Sequence, residues 1–459
     1  HLAMVTATPL ATHANDEAPP MPTTSPARWF QRDSNPRSEM SIEAPLVRRG
    51  TLDGVAVLDL SRILSGPFCT AILGDHGADV VKVESPDGDD TRRFGPPFVA
   101  GESTYFLSCN RNKRSIALDL KHPAGKAALL ALCAKADVLV ENFRPGALER
   151  LGLGPDVLQA DNPGLVVCRI SGFGQSGPWR DRPGYDLAVQ GLSGLQALTG
   201  APGGEPFKLG VSIADLVTGL YAAQSVLASL LGQAREKLAR RAGEATQAGD
   251  VIDVAMLDCV ASLLSFQAQR TLSAAEAPRR MGNQHPSIAP YETFAAADGW
   301  LNVTVGNDKL WLAFCDVLQR PALATDPRFV DNPSRVANRA ALVAAVGAVL
   351  AVEPRAHWIA RMEAAGVPGG PILEVEEMLA HPSLLARGRV TEIEHAAIGA
   401  LRLLSHPVGF SRSQVGLHRA PPLLGEHGRE VLKQWLGWGD AEVDALAQSG
   451  ALFAAGRAR

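Results

Sequence analysis

The chain has 459 residues, of which 46% are hydrophobic, and its 44 Lys and Arg residues stand against 48 Asp and Glu residues. This composition is sufficient for a large buried core and predicts two or three domains. The net charge of −4, without a long basic block, argues against a nucleic-acid-binding surface. We expect no membrane partner, because no uninterrupted apolar stretch reaches the roughly 18 residues that span a bilayer.

The six cysteines are scattered along the chain, and none forms a C-x-x-C pair. Their placement inside apolar runs predicts buried, reduced thiols and no metal site. A cytoplasmic location is the corresponding expectation. Residues 1–50 are rich in Pro, Thr and Ala and lack periodicity, so we interpret them as a disordered N-terminal extension.

From residue 53 onwards, short β-branched runs alternate with helical segments. The pattern predicts helices over Pro67–Gly77 and Pro123–Ala136, and a third within Pro145–Gln159. Strand and helix in alternation predict an α/β fold with a doubly wound, open parallel sheet. The predicted buried strands are Val55–Leu60, Asp79–Glu84, Ser115–Leu120, Asp137–Glu141 and Leu165–Ile170.

Further along, apolar residues at helical spacing predict a long helix over Ile213–Gln233. A strand at Trp300–Val305 and several amphipathic helices within residues 290–370 predict a smaller second domain. The Pro/Gly cluster Val367–Pro371 is typical of a hinge or a linker.

The segment Ser171–Gly177 contains a literal G-x-G-x-x-G directly after a predicted strand. A dinucleotide site requires this loop to open a helix whose N-terminus faces the pyrophosphate. Pro178 and Pro183 follow instead, and no acidic residue stands where the ribose contact belongs. We therefore reject nucleotide-cofactor binding by this loop. A glycine loop covering a different site stays open.

Six short phrases stand in order along the chain: Leu52–Val55, Gly66–Phe68, Gly77–Glu84, Asn112–Ile116, Glu141–Gly146 and Gly172–Pro178. In this order they resemble the class III CoA-transferase family, which also contains the α-methylacyl-CoA racemases. The resemblance spans about residues 52–440, and three further phrases (Gly88–Arg92, Gly95–Val99 and Glu102–Tyr105) resemble the succinyl-CoA:glutarate branch of the family.

The resemblance implies an interlocked homodimer. It also implies a large CoA-binding α/β domain formed by residues 51–270 and 376–459, with a small α+β domain and linkers at residues 271–375. The expected activity is reversible transfer of CoA from a short dicarboxyl-CoA, such as succinyl-CoA, to a carboxylic acid. The CoA thioester is a substrate, and no permanently bound cofactor is expected.

The catalytic aspartate of the family falls on Asp215, in Ala214–Gly219. From the residues alone, Ser212 and Asp215 form an S-x-x-D pattern, so Asp215 could simply cap the long helix. The resemblance favours the catalytic interpretation, in which the carboxylate takes the acyl group and then carries CoA as a thioester. A non-catalytic CoA-binding protein is the corresponding alternative.

Tyr185 distinguishes the transferases from the racemases. The resemblance places Tyr185 where the racemases carry a histidine base, and no histidine lies between His122 and His285. A racemase or epimerase is therefore the second alternative. Tyr185, Asp186, Gly172 and Gly174 are expected to support the reacting groups.

The resemblance also implies residues that bind CoA. Lys121, Arg144 and Arg150 suit its phosphates, and the less favoured alternative for each is a solvated charge at a helix end. Arg62 is the first candidate for the distal carboxylate of a dicarboxylic acid, with Lys208 and Arg93 behind it. The sequence does not determine the donor and acceptor acids. The residues expected to bind CoA are Leu64, Ser65, Leu118, Lys121, Asn142, Phe143, Arg144 and Arg150, together with Asp119, Leu120 and the Pro183–Asp186 loop.

Overall fold

The computed structural model describes residues 50–239 and 248–454. The predicted extension at residues 1–50 lies outside the described residues, except for Gly50. Within the described ranges, the strands are β1 (Ala56–Asp59), β2 (Asp79–Glu84), β3 (Phe98–Val99), β4 (Glu102–Ser103), β5 (Lys113–Leu118), β6 (Val138–Glu141), β7 (Val166–Ser171), β8 (Val251–Ala255), β9 (Tyr291–Ala296), β10 (Gly299–Thr304), β11 (Gly369–Pro371), β12 (Val390–His395), β13 (Gly399–Leu404) and β14 (Leu452–Phe453).

Helices connect most of these strands, and a 3-10 helix covers Asp90–Arg93. The described α-helices are α1 (Ser65–Asp75), α2 (Thr104–Cys109), α3 (Pro123–Cys133), α4 (Ala147–Arg150), α5 (Pro155–Leu158), α6 (Asp186–Leu192), α7 (Leu195–Leu198), α8 (Ile213–Ala239), α9 (Met256–Ser262), α10 (Ser265–Ala274), α11 (Asp308–Val317), α12 (Pro321–Thr325), α13 (Asn332–Ala337), α14 (Arg339–Leu350), α15 (Arg355–Ala365), α16 (Val375–Leu379), α17 (Pro382–Ala386), α18 (Gly428–Leu436) and α19 (Asp440–Gln448).

The central sheet has the order β14-β5-β2-β1-β6-β7-β8 in the described part of the chain. All neighbouring strands are parallel except β14, which runs antiparallel to β5. The mixed α/β fold with a predominantly parallel sheet is therefore the one predicted from the alternation of strands and helices. The pairing of β14 with β5 brings the end of the described chain back to this sheet.

Both faces of the sheet are buried because successive side chains of a strand point to opposite sides. Val57 belongs to one apolar cluster, with α1 and α8, whereas Leu58 belongs to the other, with α3, α18 and α19. The same division separates Val80 from Val81. A third apolar cluster, around Trp311, draws its buried members from residues 289–367. The domain boundaries proposed from the sequence stay a prediction.

Strand β5 begins two residues before the predicted start, because its first residues are buried charges. Lys113 Nζ lies 2.9 Å from Asp59 Oδ2, and neither side chain is exposed to solvent. Arg114 forms an ion pair with Asp79 at 2.5 Å. In the sequence, two adjacent cations resemble a loop; in the fold, their carboxylate partners on β1 and β2 allow them to be buried.

The predicted helix within Pro145–Gln159 is instead two four-residue helices, α4 and α5. Gly152, with a φ of 68°, lies between them and breaks the helical path. The long helix α8 begins at the predicted Ile213 and extends past the predicted Gln233 to Ala239.

Among the described residues, α8 is long and apolar enough to cross a membrane by length and composition, and the bent pair α14–α15 passes the same test together. This differs from the expectation drawn from the sequence. Half of the tested window of α8 is buried inside the chain, and α8 packs against α1, β7, β8 and α9. Helix α8 is therefore a core helix of the α/β layer in this structure.

Candidate active site

The strand order places a crevice between β1 and β6. From β1 the chain builds β2 and β5 on one side, and then β6, β7 and β8 on the other. Ligands of open α/β sheets bind at such a reversal, outside the carboxyl ends of the strands. Here Asn142 ties the two sides together: its amide donates to the carbonyl of Arg62 at 2.7 Å, and its oxygen accepts the N–H of Arg62 at 2.8 Å.

Asp215 lies in the first turn of α8 and is 9% exposed. The backbone N–H and the hydroxyl of Ser65 face its carboxylate and favour the ionised form. Ser65 is the first residue of α1, so the positive end of that helix dipole faces the carboxylate. Two helices that lie far apart in the chain thus hold one carboxylate between them.

Gly219 allows this close approach. It lies one helical turn after Asp215, on the face of α8 that meets α1. A Cβ at position 219 would lie 2.6 Å from the carbonyl oxygen of Ser65 and 3.1 Å from the ring of Phe68. Any larger residue would therefore push α1 and Ser65 away from Asp215. The i, i+4 spacing indicates that Asp215 and Gly219 lie on the same face of α8. The sequence alone does not indicate that this face packs against α1.

The beginning of α8 is held by other residues than the predicted S-x-x-D pattern suggested. The N–H of Ala214 donates to Asp186 Oδ1 at 2.9 Å. Ser212 lies beside Tyr105, and burial together with the nearby Asp215 raises the pKa of Tyr105 to about 12. Asp215 is thereby left to face Ser65 and the cavity. The sequence named Tyr105 only as part of a resembling phrase and missed this position.

Burial, together with the neighbouring carboxylate of Asp186, raises the pKa of Asp215 to about 7, while the hydrogen bonds from Ser65 oppose the increase. At neutral pH a large fraction of this carboxylate is therefore ionised in a poorly solvated position. A carboxylate in this state is a stronger nucleophile than an exposed one, because less hydration must be removed before it attacks.

A cavity of about 400 Å³, here called the Asp215 cavity, opens onto this carboxylate. Most of the predicted site residues line it: Arg62, Ser65, Asn142, Phe143, Arg144, Arg150, Gly172, Tyr185 and Asp215. Its volume is within the range of small-molecule sites.

A second cavity of about 370 Å³, here called the Lys121 cavity, lies outside the carboxyl ends of β1, β2 and β5. Leu118 and Lys121 line it, together with Arg62 and Phe143, which are shared with the Asp215 cavity. The two cavities are therefore neighbours along the same sheet edge.

Three predicted residues lie outside both linings as far as the described residues show. Leu64 is buried directly before α1, and Gly174 is buried in the loop after β7. Asp186 acts through its contact with Ala214. The glycine loop after β7 does not open a helix, since the next helix starts only at Asp186.

Gly172 and Gly184 bring two loops into direct contact beside the Asp215 cavity. A Cβ at Gly172 would lie 2.8 Å from the Cα of Gly184, and one at Gly184 would lie 2.7 Å from the Cα of Gly172. The contact fixes the segment that presents Tyr185, whose side chain is 68% exposed and lines the cavity.

The cations of the Asp215 cavity differ in their partners. Arg62 already forms an ion pair with Asp90, which also pairs with Arg93. Arg182, which the sequence did not single out, lies over the rings of Trp179 at 4.7 Å and Phe173 at 5.9 Å. Within residues 50–239 and 248–454, no carboxylate forms an ion pair with Arg182. Lys208 does not line the cavity in this part of the chain; its amine donates to the carbonyl of Leu209.

The chain has an α/β fold with a cavity at the edge of its parallel sheet. In that cavity a buried carboxylate lies at a helix N-terminus. Residues 52–428 match the model of CoA-transferase family III. The succinyl-CoA:glutarate CoA-transferase of Mus musculus is 39% identical, covering 87% of this chain and 90% of its own. The acetyl-CoA:oxalate CoA-transferase of Acetobacter aceti is 40% identical, covering 86% of this chain and 98% of its own.

Among solved structures, a CAIB/BAIF family protein from Brucella suis is 41% identical with a TM-score of 0.75, covering 84% of this chain and all of its own. The chain belongs to CoA-transferase family III. It is therefore an enzyme, and the resemblance identified from the sequence motifs is confirmed.

The contact at Gly219 leads to a test with a matched control on the same helix. We expect Gly219→Ala to reduce CoA transfer by about a hundredfold, because displacing Ser65 misplaces the carboxylate relative to its donors. Gly232→Ala adds the same methyl group to α8 where no heavy atom lies within 4 Å, so it should leave activity unchanged and stabilise the helix by about 0.5–1 kcal/mol. Initial rates and thermal unfolding of both variants provide the comparison. Equal activity in the two variants would contradict the assignment.

Proposed function

We propose that this enzyme transfers CoA reversibly from a short dicarboxyl-CoA, such as succinyl-CoA, to a carboxylic acid, with Asp215 as the acyl acceptor. The single observation that carries the proposal is the state of Asp215: a buried carboxylate with a pKa of about 7, lining a cavity and held by two donors of Ser65. A surface cap would have neither the burial nor the cavity.

The first half-reaction begins when a carboxylate oxygen of Asp215 attacks the thioester carbonyl. The C–S bond breaks, CoA leaves as the thiolate, and a mixed anhydride remains on Asp215. The thiolate then attacks the aspartyl carbonyl carbon, the donor acid leaves as its carboxylate, and Asp215 carries CoA as a thioester. Each step exchanges one activated acyl bond for another, so no external energy source is required.

The second half-reaction repeats these steps in reverse with the acceptor. Its carboxylate attacks the Asp215 thioester and expels the thiolate, and the thiolate then attacks the acceptor carbonyl and releases Asp215. During both attacks on the aspartyl carbonyl, negative charge develops on its oxygen. The N–H and hydroxyl of Ser65 are already directed at this group and suit the stabilisation of that charge.

The neighbouring cavities support a path for CoA. Because Arg62 and Phe143 line both cavities, one extended ligand can run from the Lys121 cavity to Asp215. Lys121, Arg144 and Arg150 are exposed cations along this path and suit phosphate groups. We therefore retain the CoA-binding set inferred from the sequence as a proposal, with Ser65 reassigned to Asp215.

Racemisation would require a second base across the substrate from Asp215. Within the described residues, no histidine lines the Asp215 cavity, and the exposed Tyr185 occupies its edge. Tyrosine is a poor base at neutral pH. The composition of the cavity thus favours transfer over racemisation.

The choice of acid needs more than overall similarity, since relatives of nearly equal identity are named for glutarate and for oxalate. We propose Arg182 as the partner of the distal carboxylate, in place of Arg62. Arg62 is already engaged by Asp90, whereas Arg182 lines the cavity with its charge available and its guanidinium held flat by aromatic rings. A planar guanidinium pairs with a carboxylate through two parallel hydrogen bonds.

We infer a homodimer from the apolar side chains that a single chain leaves exposed around α8 and α10. Leu220, Leu231, Phe266 and Leu272 are each more than half exposed, and large exposed apolar side chains are often buried at subunit interfaces. The interlocked arrangement and the cytoplasmic location stay predictions.

For the nucleophile, we expect Asp215→Asn to lower transfer to below about a thousandth of the wild-type rate, because an amide cannot form the anhydride. Incubation of the wild type with succinyl-CoA should give a CoA thioester on the peptide containing Asp215, detected by mass spectrometry after borohydride or hydroxylamine trapping. An active Asn variant, or an adduct on another residue, would exclude Asp215 as nucleophile.

The pKa of Asp215 predicts two dependences on pH. Attack requires the ionised form, so kcat/KM should fall about tenfold for each pH unit below 7. Since folding raises the pKa, ionised Asp215 destabilises the native state above pH 7, and this cost disappears as the pH falls towards the ordinary range of a carboxyl group. Asp215→Asn should therefore unfold at a higher temperature than the wild type at pH 8, and the difference should be much smaller at pH 4.5. A kcat/KM that stays flat between pH 5 and 8 would contradict the assignment.

For the distal carboxylate, we expect Arg182→Gln to raise the KM for glutarate by about tenfold to a hundredfold, because a charge-assisted hydrogen bond is lost. The KM for butyrate, which lacks the distal group, should change little. Arg180→Gln removes a neighbouring exposed cation that pairs with Asp181 and serves as the matched control. If Arg62→Gln selectively raises the KM for glutarate and Arg182→Gln does not, Arg62 is the partner of the distal carboxylate, as the sequence predicted.

A further inference from the structure

A buried amide next to the site has a specific set of partners. Gln190 on α6 is fully buried. Its Nε2 donates to Asp186 Oδ2 at 2.8 Å, and its Oε1 accepts the backbone N–H of Leu209 at 3.0 Å. Both ends of the amide are therefore used, which is the condition for burying a polar side chain at low cost.

The second oxygen of Asp186 extends this connection to α8, since Oδ1 accepts the N–H of Ala214 at 2.9 Å. Asp186 and Gln190, here called the Asp186–Gln190 pair, thus bind the backbone at two points: Gln190 at Leu209 and Asp186 at Ala214, five residues further along the chain. Both side chains come from α6, and α6 packs against α8 and α9. The pair therefore spans the segment from which the chain enters α8.

That segment is also held at Gly200, whose carbonyl accepts the N–H of Gly282 at 3.0 Å, and at Ser212, which lies beside Tyr105. Residues 199–212 contain no helix or strand, and Phe207 and Val211 are half exposed or more. With few buried apolar contacts, its position depends mainly on hydrogen bonds. Asp215 follows Ala214 directly, so a shift at Ala214 moves the carboxylate relative to Ser65.

We propose that the Asp186–Gln190 pair is the positioning device of this enzyme: its hydrogen bonds to Leu209 and Ala214 set Asp215 against Ser65 at the helix N-terminus. The inference rests on the proposed function, because it gives Asp215 a geometry that only a reacting group requires. It assigns a role to Gln190, for which the sequence offered no signal.

Simple substitution cannot separate positioning from capping, because an asparagine also caps helices well. The pair offers a sharper comparison. Asp186→Asn keeps an oxygen for Ala214, but its amide nitrogen meets the amide nitrogen of Gln190, and two donors cannot bond. The double variant Asp186→Asn/Gln190→Glu restores every hydrogen bond: the new amide nitrogen at position 186 donates to the new carboxylate at position 190, whose other oxygen accepts Leu209 N–H. The net charge then equals that of the wild type.

We expect Asp186→Asn and Gln190→Leu each to lower kcat by about tenfold to a hundredfold, the scale of a displaced reacting group. The KM for succinyl-CoA should change by less than about threefold, since the proposed CoA contacts lie on other elements. Asp186→Asn/Gln190→Glu should regain turnover to within about fivefold of the wild type. The mismatched double variant Asp186→Asn/Gln190→Leu should stay as impaired as the single variants.

Folding of each variant is checked by circular dichroism and thermal unfolding. If the single variants unfold while Asp186→Asn/Gln190→Glu folds and turns over, the result still supports the pair. The proposal is overturned if Asp186→Asn/Gln190→Glu has a kcat no higher than that of the single variants. It is also overturned if the single variants have the wild-type kcat. Failure of the proposed function is distinguishable, because the wild type would then form no CoA thioester on Asp215. If the wild type forms the adduct on Asp215 but the variants at positions 186 and 190 keep the wild-type kcat, only the positioning role is contradicted.

Discussion

The structure depends on one contact, the approach of the N-terminus of α1 to the first turn of α8. Gly219 lets the two helix backbones meet, and Ser65 then directs an N–H and a hydroxyl at Asp215. Helix α1 follows the first strand of the sheet and α8 precedes the last parallel strand, so the contact closes one face of the sheet across the point where the strand order reverses. The crevice, the carboxylate and the helix dipole coincide for this reason.

Buried charged side chains fix the loop that leads into α1. Lys113 pairs with Asp59, and Lys82, which donates to the carbonyl of Ser61, pairs with Asp89 at 2.9 Å. Burial alone would raise the pKa of Asp59, but the two lysines lower it to about 2. Buried pairs add little net stability compared with apolar packing, yet they are costly to break and permit one arrangement of their partners. Here that arrangement sets the position of Ser65 and Arg62.

Asp215 illustrates the opposing demands of stability and reactivity. The paired carboxylate of Asp59 has a lowered pKa, whereas Asp215 has a raised one because burial and Asp186 outweigh the two bonds from Ser65. A fully satisfied carboxylate would be stable and unreactive. A partly satisfied one, beside a cavity that can exclude water when substrate fills it, can both attack a thioester and later carry CoA. The Asp186–Gln190 pair fits the same arrangement, since a group held under electrostatic repulsion needs rigid neighbours.

The sequence by itself determined the alternation of strands and helices, most of the sheet strands and the family, because apolar periodicity and ordered motifs are local properties. It also singled out Asp215, and most of the site residues that it predicted line the two cavities. It misjudged the start of β5, since a buried Lys113 is intelligible only with Asp59 opposite, and it joined α4 and α5 across Gly152. The tertiary structure alone decided that Asp186 holds α8, that Ser65 serves Asp215, and that Arg62 is engaged while Arg182 is available. These are pairings between residues distant in the chain, and the free energy of a buried charge or close backbone contact depends on its partner, which no local pattern specifies.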